Sequence, residues 1–569
     1  MVPDRLHRHS WLPASLSRSR AFPDLPKFGK GSGSSFCRIF RSSGSTGPDG
    51  EKSLGAHPVS APGAYYVTTP IYYVNDNPHI GHAYTTLACD AVARFMRLDG
   101  RQVHFLTGTD EHGQKVEKAA TARGMDPQSF TDEVSQRFRD LARAMNFSND
   151  DFIRTTEARH KRSVQDLWNR LLEAGDIYLG SYAGWYAVRD EAFYAENEIK
   201  DGKAPTGAPV EWVEEPSYFF RLSAWQDRLL AWYDEDPDRV LPESRRNEVI
   251  SFVKGGLQDL SISRTTFRWG VPVPGDDDHV MYVWLDALTN YISAVGYPDR
   301  DCELFSTFWP ADVHVVGKDI LRFHAVYWPA FLMAAGIEPP KRIHAHGWWT
   351  NEGQKISKSL GNVIDPYELI ERYGLDQVRY FLLREVPFGN DGDFSHAAMV
   401  RRMNSDLAND YGNLCQRVLS MIGRNCGGAV PEPGAFSDED QMLIGSAEAL
   451  LDTVRGHMER QSSHLALETI WRVIADANRY VDSMAPWTLR KTDPARMATV
   501  LYVLAETIRH LAILTQPYMP DSSGRILDLL AIDKRDFSTL GESGRLVPGT
   551  PLPRPEGVFP RHIEAEPAT

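Results

Sequence analysis

From Tyr65 to Thr69 aromatic and β-branched residues run together, the composition of a buried strand. Pro70 breaks that run, and Asn75, Asp76, Asn77 and Pro78 make a turn-rich loop. Beyond it Tyr84, Leu87, Ala88, Ala91, Val92 and Phe95 recur at i, i+3, i+4, i+7, which predicts a helix with one buried face. His79-Ile80-Gly81-His82 therefore stands where a strand and loop feed the start of a helix. A second strand pattern, Gln102 to Thr107, ends in the polar run Gly108-Thr109-Asp110-Glu111-His112-Gly113. Amphipathic helices are predicted from Asp126 to Met145 and from Glu157 to Glu173.

From Gly175 to Arg268 the periodicity changes. Short strand-like pieces such as Trp185-Tyr186-Ala187-Val188 and Tyr218-Phe219-Phe220-Arg221 alternate with glycine and proline, as in an inserted β module. Apolar runs then resume at Val280 to Ala287 and Val313 to Val316, the latter leading into Gly317-Lys318-Asp319-Ile320. A helix bearing Phe323, His324, Tyr327 and Trp328 follows, then a strand from Arg342 to His346. Alternating short strands and helices predict an α/β fold with a parallel sheet. After Asp393 long helical patterns take over, at Ala397 to Arg424, Asp438 to Glu459, Ser462 to Met484 and Pro494 to Thr515, which predicts an antiparallel bundle. These changes divide the chain into 1–50, a flexible segment; 64–174 and 269–393, two halves of the sheet domain; 175–268, the insertion; 394–533, the helical domain; and 534–569, a tail. Pro551, Pro553, Pro555 and Pro560 mark that tail as irregular packing or a loose end. No internal repeat is evident.

Composition narrows the setting. The 569 residues are 42% hydrophobic, ordinary for globular protein, and a net charge of −14 disfavours indiscriminate nucleic-acid binding while permitting a local basic groove. Five cysteines, Cys37, Cys89, Cys302, Cys415 and Cys426, are odd in number and widely spaced, which fits neither a disulfide framework nor a thiolate zinc site and points to a reducing compartment. No run reaches the ~20 consecutive apolar residues of a membrane helix. Arg5, Arg8, Arg18, Arg20, Arg38 and Arg41 lie among many serines and few acids, with Gly31 to Ser35 rich in glycine and serine, a composition that matches a mitochondrial transit peptide. The other reading is a flexible basic tail that stays attached.

The candidate chemistry gathers at two places. A helix N-terminus offers unpaired N–H groups and partial positive charge to a phosphate, glycine permits close approach, and imidazoles add donors, so His79, Gly81 and His82 form an anion site in prospect. The alternative is that both histidines serve the surface or core. Lys355-Ile356-Ser357-Lys358-Ser359, between glycines, forms a cationic loop suited to a polyphosphate. Together the two resemble the HIGH and KMSKS signatures of class I aminoacyl-tRNA synthetases, the second reading KISKS here. Pro70-Ile71-Tyr72-Tyr73, the run from Gly108 to Gly113, Tyr282 to Ala287, and Gly317 to Ile320 with Phe323, His324 and Trp328 look like methionyl-tRNA synthetase, a resemblance spanning about Tyr65 to Thr515.

That resemblance implies a Rossmann-like catalytic domain with an inserted connective domain, followed by a helical anticodon-binding domain. It implies a methionine–tRNA ligase that forms methionyl-adenylate and pyrophosphate from methionine and ATP with Mg²⁺, then charges tRNA(Met). By position, Ile71, Tyr73, Asp110, Trp284, Ala287, Leu288, Tyr291 and His324 would line the methionine pocket, with Asp110 on the ammonium group. His79, Gly81, His82, Lys355 and Lys358 would face the phosphates, and Gly317 and Asp319 the adenosine. Asn413, Arg417 and Trp487 resemble anticodon-reading positions, although the tryptophan read locally could equally sit in the core. Relatives often carry cysteine-ligated zinc in the insertion. Here Ala187 and Asp190 stand where one pair would fall, the other is missing around Lys203 to Thr206, and no metal ligand is assigned. A monomer is expected, because no appended tRNA-binding module follows the bundle. With the amino-terminal composition, the mitochondrial matrix is the expected location. Two rivals stay open on sequence: a sibling class I synthetase, and a non-catalytic tRNA-binding protein on the same fold.

Overall fold

The computed structural model describes residues 63–74, 77–189, 192–194, 196–356 and 361–563. The arginine- and serine-rich segment, Asp190 and Lys358 lie outside the described residues.

Seven strands build the central sheet: β1 (Ala64–Thr68), β2 (Tyr72–Tyr73), β3 (Gln102–Asp110), β4 (Asp151–Arg154), β5 (Val240–Leu241), β6 (Val313–Gly317) and β7 (Ile343–His346). Their order is β2-β3-β1-β6-β7-β5 with β4 against β3, and every pair is parallel. Alternate residues enter different cores: Tyr65, Val67, Val313 and Val315 join one hydrophobic cluster, Tyr66, Leu106 and Val316 another. Covering on both faces is what a parallel sheet requires, and it explains why these strands read as continuous apolar runs. Strand β1 lies between β3 and β6, so the strand order reverses there and the loops after β1 and β6 open side by side at the carboxyl edge.

Helix α1 (Ile80–Leu98) links β1 toward β3 and is buried on almost every side, more than the single face its pattern predicts. The sheet covers one side, and α2 (Leu375–Arg384) with the helical domain covers the other, all in one hydrophobic cluster. Burying each of Leu87, Val92 and Phe95 contributes about 1.5–3 kcal/mol. Asp90, on the same helix, is buried because the guanidinium of Arg379 on α2 meets it at 2.6 Å. Arg379 also donates to the backbone carbonyls of Met145, Pro517 and Tyr518 and is itself fully buried.

The insertion forms an antiparallel sheet of Ile177–Ala187, Ala192–Tyr194, Glu211–Phe220 and Leu260–Ser261. One stretch read with it belongs elsewhere: β5 pairs in parallel with β7, so the insertion is interrupted by an edge strand of the central sheet. Where the resemblance would place thiolates, at Ala187 and around Lys203 to Thr206, Ala187 and Ala204 pack with Ala208, Tyr194 and Val210 as a small apolar cluster. Ala204 N–H donates to Ala208 O at 2.8 Å to close the turn. Methyl groups hold no metal, so these residues do not fit a structural zinc.

In the helical domain, α3 (Asn413–Asn425) continues a π-helical stretch, Met403–Gly412. The predicted helix from Asp438 to Glu459 is two, Asp438–Glu448 and Leu450–Glu459, the first held by a reciprocal capping box between Ser437 and Asp440. Helices α4 (Ser463–Met484) and α5 (Pro494–Thr515) follow the sequence pattern closely. By length and composition α5 is apolar enough to cross a membrane, although Glu506 and Arg509 interrupt its apolar run; 94% of its most apolar window is buried as the core of the bundle. The tail packs irregularly rather than hanging loose, burying Phe537, Leu546, Val558 and Phe559 against the bundle.

Candidate active site

Helix α1 starts just beyond the carboxyl end of β1, and a histidine performs the capping that serine or aspartate usually supplies. His79 Nδ1 accepts from Gly81 N–H at 3.1 Å, while His82 Nδ1 accepts from His79 N–H at 3.1 Å. A Cβ on residue 81 would lie 3.0 Å from the His79 ring, so glycine there makes room for the capping imidazole, a reason beyond ligand access. Burial pushes the His79 imidazole below its ordinary pKa; burial and then the neighbouring His79 push His82 well below it. Both rings are therefore neutral near pH 7, and because each Nδ1 is an acceptor, each proton sits on Nε2. The pair offers two N–H donors rather than two cations. With no acidic residue in the first turn, the positive end of the helix dipole is uncompensated.

Facing this helix end is a cavity of about 190 Å³ lined by His79, Gly81, Tyr84, His346, Trp348 and Lys355 among others. His82 packs beside it, edge-on to Tyr72 and Phe138. His346 ends β7 and bonds through Nε2 to Thr85 Oγ1 at 2.8 Å, tying the sheet edge to α1. The chain continues through Gly347, where a Cβ would meet Asn390 O at 2.2 Å, so only glycine admits that approach. It then forms β8 (Trp349–Asn351) and β9 (Gln354–Lys355), a hairpin that delivers Lys355 to the cavity, while β10 (Gly392–Phe394) pairs with β8 from the other side. Gly317 ends β6 opposite His346, and Asp319 in the following turn accepts from the Trp348 indole N–H at 3.0 Å. Thus the two signature segments meet at the carboxyl edge, joined by Gly317 and Asp319; Lys358 lies outside the described residues.

The residues expected to hold methionine gather along the same edge. Tyr73 on β2 stands opposite Asp110 on β3, and Asp110 is buried. Trp284, Ala287 and Leu288 share a short helix, Val283–Leu288. Trp284 lies flat on Phe323 with centroids 3.6 Å apart, and Ile71, Leu288 and Tyr291 belong with them to one cluster. Tyr291 Oη meets His324 Nε2 at 2.7 Å and His324 Nδ1 meets Ile320 O at 2.9 Å, so the ring donates from Nδ1 and accepts the tyrosine proton. Burial lowers His324 to about 4, which keeps it neutral. Leu288 is 1% exposed and backs this wall as core.

Sequence reasoning gave no role to the groups that hold this wall in place. Asp286, buried on the tryptophan helix, bonds His112 Nδ1 at 2.6 Å and His160 Nε2 at 2.8 Å, which ties that helix to the loop that follows Asp110 and to the helix Ala158–Glu173. Burial alone would raise its pKa, but His112 first and His160 next hold it below the usual carboxylate range. Its place in the quoted Tyr282 to Ala287 run was the available signal. Phe323 and Trp348 were likewise given no role, although Trp348 directly precedes the hairpin that carries the lysine signature.

Far along the chain, Asn413 and Arg417 stand one turn apart on α3, the first exposed. Trp487 is 46% exposed, which removes the core reading, and the Arg417 guanidinium lies 5.5 Å over its ring. Arg417 also pairs with Asp482 at 2.7 Å. An arginine, an amide and an exposed indole on one surface suit splayed single-stranded bases.

A parallel sheet with a histidine-capped helix opposite a lysine hairpin, joined to a helical domain, is the architecture of the class I aminoacyl-tRNA synthetases. Residues 65–208 and 203–419 match the family model described as tRNA synthetases class I (M), and 430–568 match the anticodon binding domain of methionyl tRNA ligase. Over 507 residues the chain is 60% identical to the methionine–tRNA ligase of Mesorhizobium japonicum, covering 88% of this chain and 98% of that one. It is 58% identical over 509 residues to that of Brucella suis, with the same coverage. The Mycobacterium tuberculosis methionyl-tRNA synthetase in complex with methionyl-adenylate superposes with a TM-score of 0.86 at 57% identity, covering 88% of this chain and 100% of that one. The chain belongs to the methionyl-tRNA synthetases and is a methionine–tRNA ligase.

Proposed function

We propose that this ligase charges mitochondrial tRNA(Met), acting as a monomer in the matrix, and that the residues gathered at the carboxyl edge divide the work as follows. The methionine carboxylate attacks the α-phosphorus of ATP in line, pyrophosphate leaves, and the terminal ribose hydroxyl of tRNA then takes the aminoacyl group and releases AMP. No protein nucleophile enters; rate comes from positioning and from stabilising phosphate charge. The α1 N-terminus with the Nε2–H donors of His79 and His82 binds phosphate oxygens, and Lys355 and Lys358 follow the charge moving onto pyrophosphate. Gly317 and Asp319 hold the adenosine, Asp110 the methionine ammonium, and Ile71, Tyr73, Trp284, Ala287, Tyr291 and His324, backed by Leu288, enclose the thioether, an environment that suits a polarizable sulfur. Mg²⁺ would arrive with the triphosphate as MgATP, held mainly by its phosphates and water, and lower its charge. Asn413, Arg417 and Trp487 read the anticodon.

The observation that carries the division of roles is the cavity that brings His79, Gly81 and Lys355 together. The mitochondrial setting rests on the arginine- and serine-rich composition ahead of the family match, which starts at residue 65. Single-turnover adenylate formation tests the roles: Lys358→Ala should slow it at least about tenfold, some 1.4 kcal/mol of barrier, with methionine binding retained. An unchanged rate would reject them. Incubation of the full chain with isolated mitochondria tests the setting, which fails if the chain is neither imported nor shortened.

A further inference from the structure

Trp348 is out of keeping with its surroundings. A large indole 45% exposed at the rim of the cavity gains little from burial, yet five contacts fix it. Its backbone N–H donates to Asp391 Oδ1 at 2.8 Å, and its carbonyl accepts from Gly392 N–H at 2.8 Å, which locks the main chain to the neighbouring segment. Its indole N–H donates to Asp319 Oδ1 at 3.0 Å. Two ammonium groups lie near its ring, Lys318 at 4.5 Å and Lys355 at 5.5 Å. Lys318 is neutralised by Asp391 at 2.6 Å. Lys355 has no ion-pair partner among the described residues, so the indole face is the electrostatic contact on which its ammonium rests.

We propose that Trp348 is a positioning residue that holds the Lys355 ammonium at the mouth of the nucleotide cavity and couples it to Asp319. A lysine stem has four freely rotating bonds, and an exposed one samples many conformers that miss a phosphate. The ring face restricts that sampling with a contact weak enough to be exchanged for a triphosphate, since cation–π attraction at an exposed site falls far below a pairing with phosphate. The indole N–H orients Asp319 from the same ring, so the group that meets the nucleoside and the group that meets the polyphosphate are set by one rigid body. Preorganisation of this kind acts on the chemical step rather than on methionine binding. This inference rests on the phosphate role assigned to Lys355 above.

The test is a double-mutant cycle on the full chain, reading single-turnover adenylate formation at saturating methionine with ATP varied. Trp348→Leu should slow the step about three- to tenfold. Trp348→Phe keeps a ring face and should recover most of that rate, while its lost N–H raises the ATP concentration needed for half-saturation. In a Lys355→Ala background Trp348→Leu should cost no further rate at saturating ATP, because the lysine through which the ring acts on the chemical step is gone, and should only raise the ATP needed for half-saturation through Asp319. Methionine affinity and melting temperature should hold in all three, which a merely structural role would not allow. If Lys355→Ala is slow but Trp348→Leu is either harmless or fully additive, the positioning role is wrong and the phosphate role stands. If Lys355→Ala reacts at the normal rate, the phosphate role fails and the positioning role with it.

Discussion

Trp487 decides between two opposite expectations for one substitution. A core tryptophan replaced by alanine costs about 3–5 kcal/mol of stability and would depress every activity together. The ring here is 46% exposed and stacked under Arg417, so its removal should spare the fold. A base stacked on an aromatic ring contributes about 1–3 kcal/mol, so Trp487→Ala should lower aminoacylation of cognate tRNA roughly five- to two-hundredfold. Methionine-dependent pyrophosphate exchange, which needs no tRNA, should stay near normal. Joint loss of exchange and aminoacylation, or unaffected aminoacylation, would remove Trp487 from anticodon reading. At this scale the sequence was legible wherever chemistry was local. His79, Gly81 and His82 cap one helix end within four residues, and their spacing carries their geometry. Trp348 was not legible, because its partners Asp319 and Asp391 lie 29 and 43 residues away.

Helix α5 shows what an element can hide. Its apolar length marks it as a bundle core, yet Glu506, Arg509 and His510 are all buried within it. Glu506 and Arg509 pair at 2.6 Å, and the rest of their capacity goes to the tail: Leu546 N–H donates to Glu506, Arg509 donates to Thr539 O, and Gly541 N–H donates to His510 Nε2. Removing residues 535–569 would strand these groups and expose the apolar side chains packed there. The cost should be at least about 5 kcal/mol, read as a lowered urea midpoint. A truncated chain with the stability of the full one would show the tail to be dispensable packing. Helical patterning forecast α4 and α5 to within a residue or two because α4 keeps one face continuously apolar and α5 is apolar on almost every side. The break at Ala449 and the π-helical stretch Met403–Gly412 leave no such trace, since both preserve the apolar face while shifting the backbone beneath it. The edge strand β5 was lost for a different reason: two residues, Val240–Leu241, carry no periodicity at all.

Across the whole molecule the buried histidines set a common response to acid. Burial lowers His324 to about 4 and His344 to about 3, and pushes His82, His104, His314 and His346 down as well. In the unfolded chain each would titrate near ~6.5. Below that value the unfolded state takes up protons that the folded state refuses, so stability is fully present above about pH 6.5 and declines as pH falls. Between about pH 7 and pH 5 the loss is on the order of 1–2 kcal/mol for each of His324 and His344. The melting temperature should therefore be flat from about pH 8 to pH 7 and fall steadily below 6.5. A curve that stays level or rises toward pH 5 would contradict the neutral, buried state of these rings.

Arg379 has a consequence for how the chain comes apart. Its guanidinium reaches Asp90 on α1, Met145 beyond the next helical hairpin, and Pro517 and Tyr518 after α5, all without access to water. The hydrophobic cluster around it runs unbroken from Tyr65 to Phe559. Catalytic and anticodon-reading parts therefore have no seam along which one could melt while the other survives. Calorimetry should record a single endotherm whose calorimetric and van't Hoff enthalpies agree, and two resolved transitions would refute it. The anticodon-reading part expressed alone would carry a raw apolar face where α1 and the sheet had been, so it is to be expected in inclusion bodies rather than in solution.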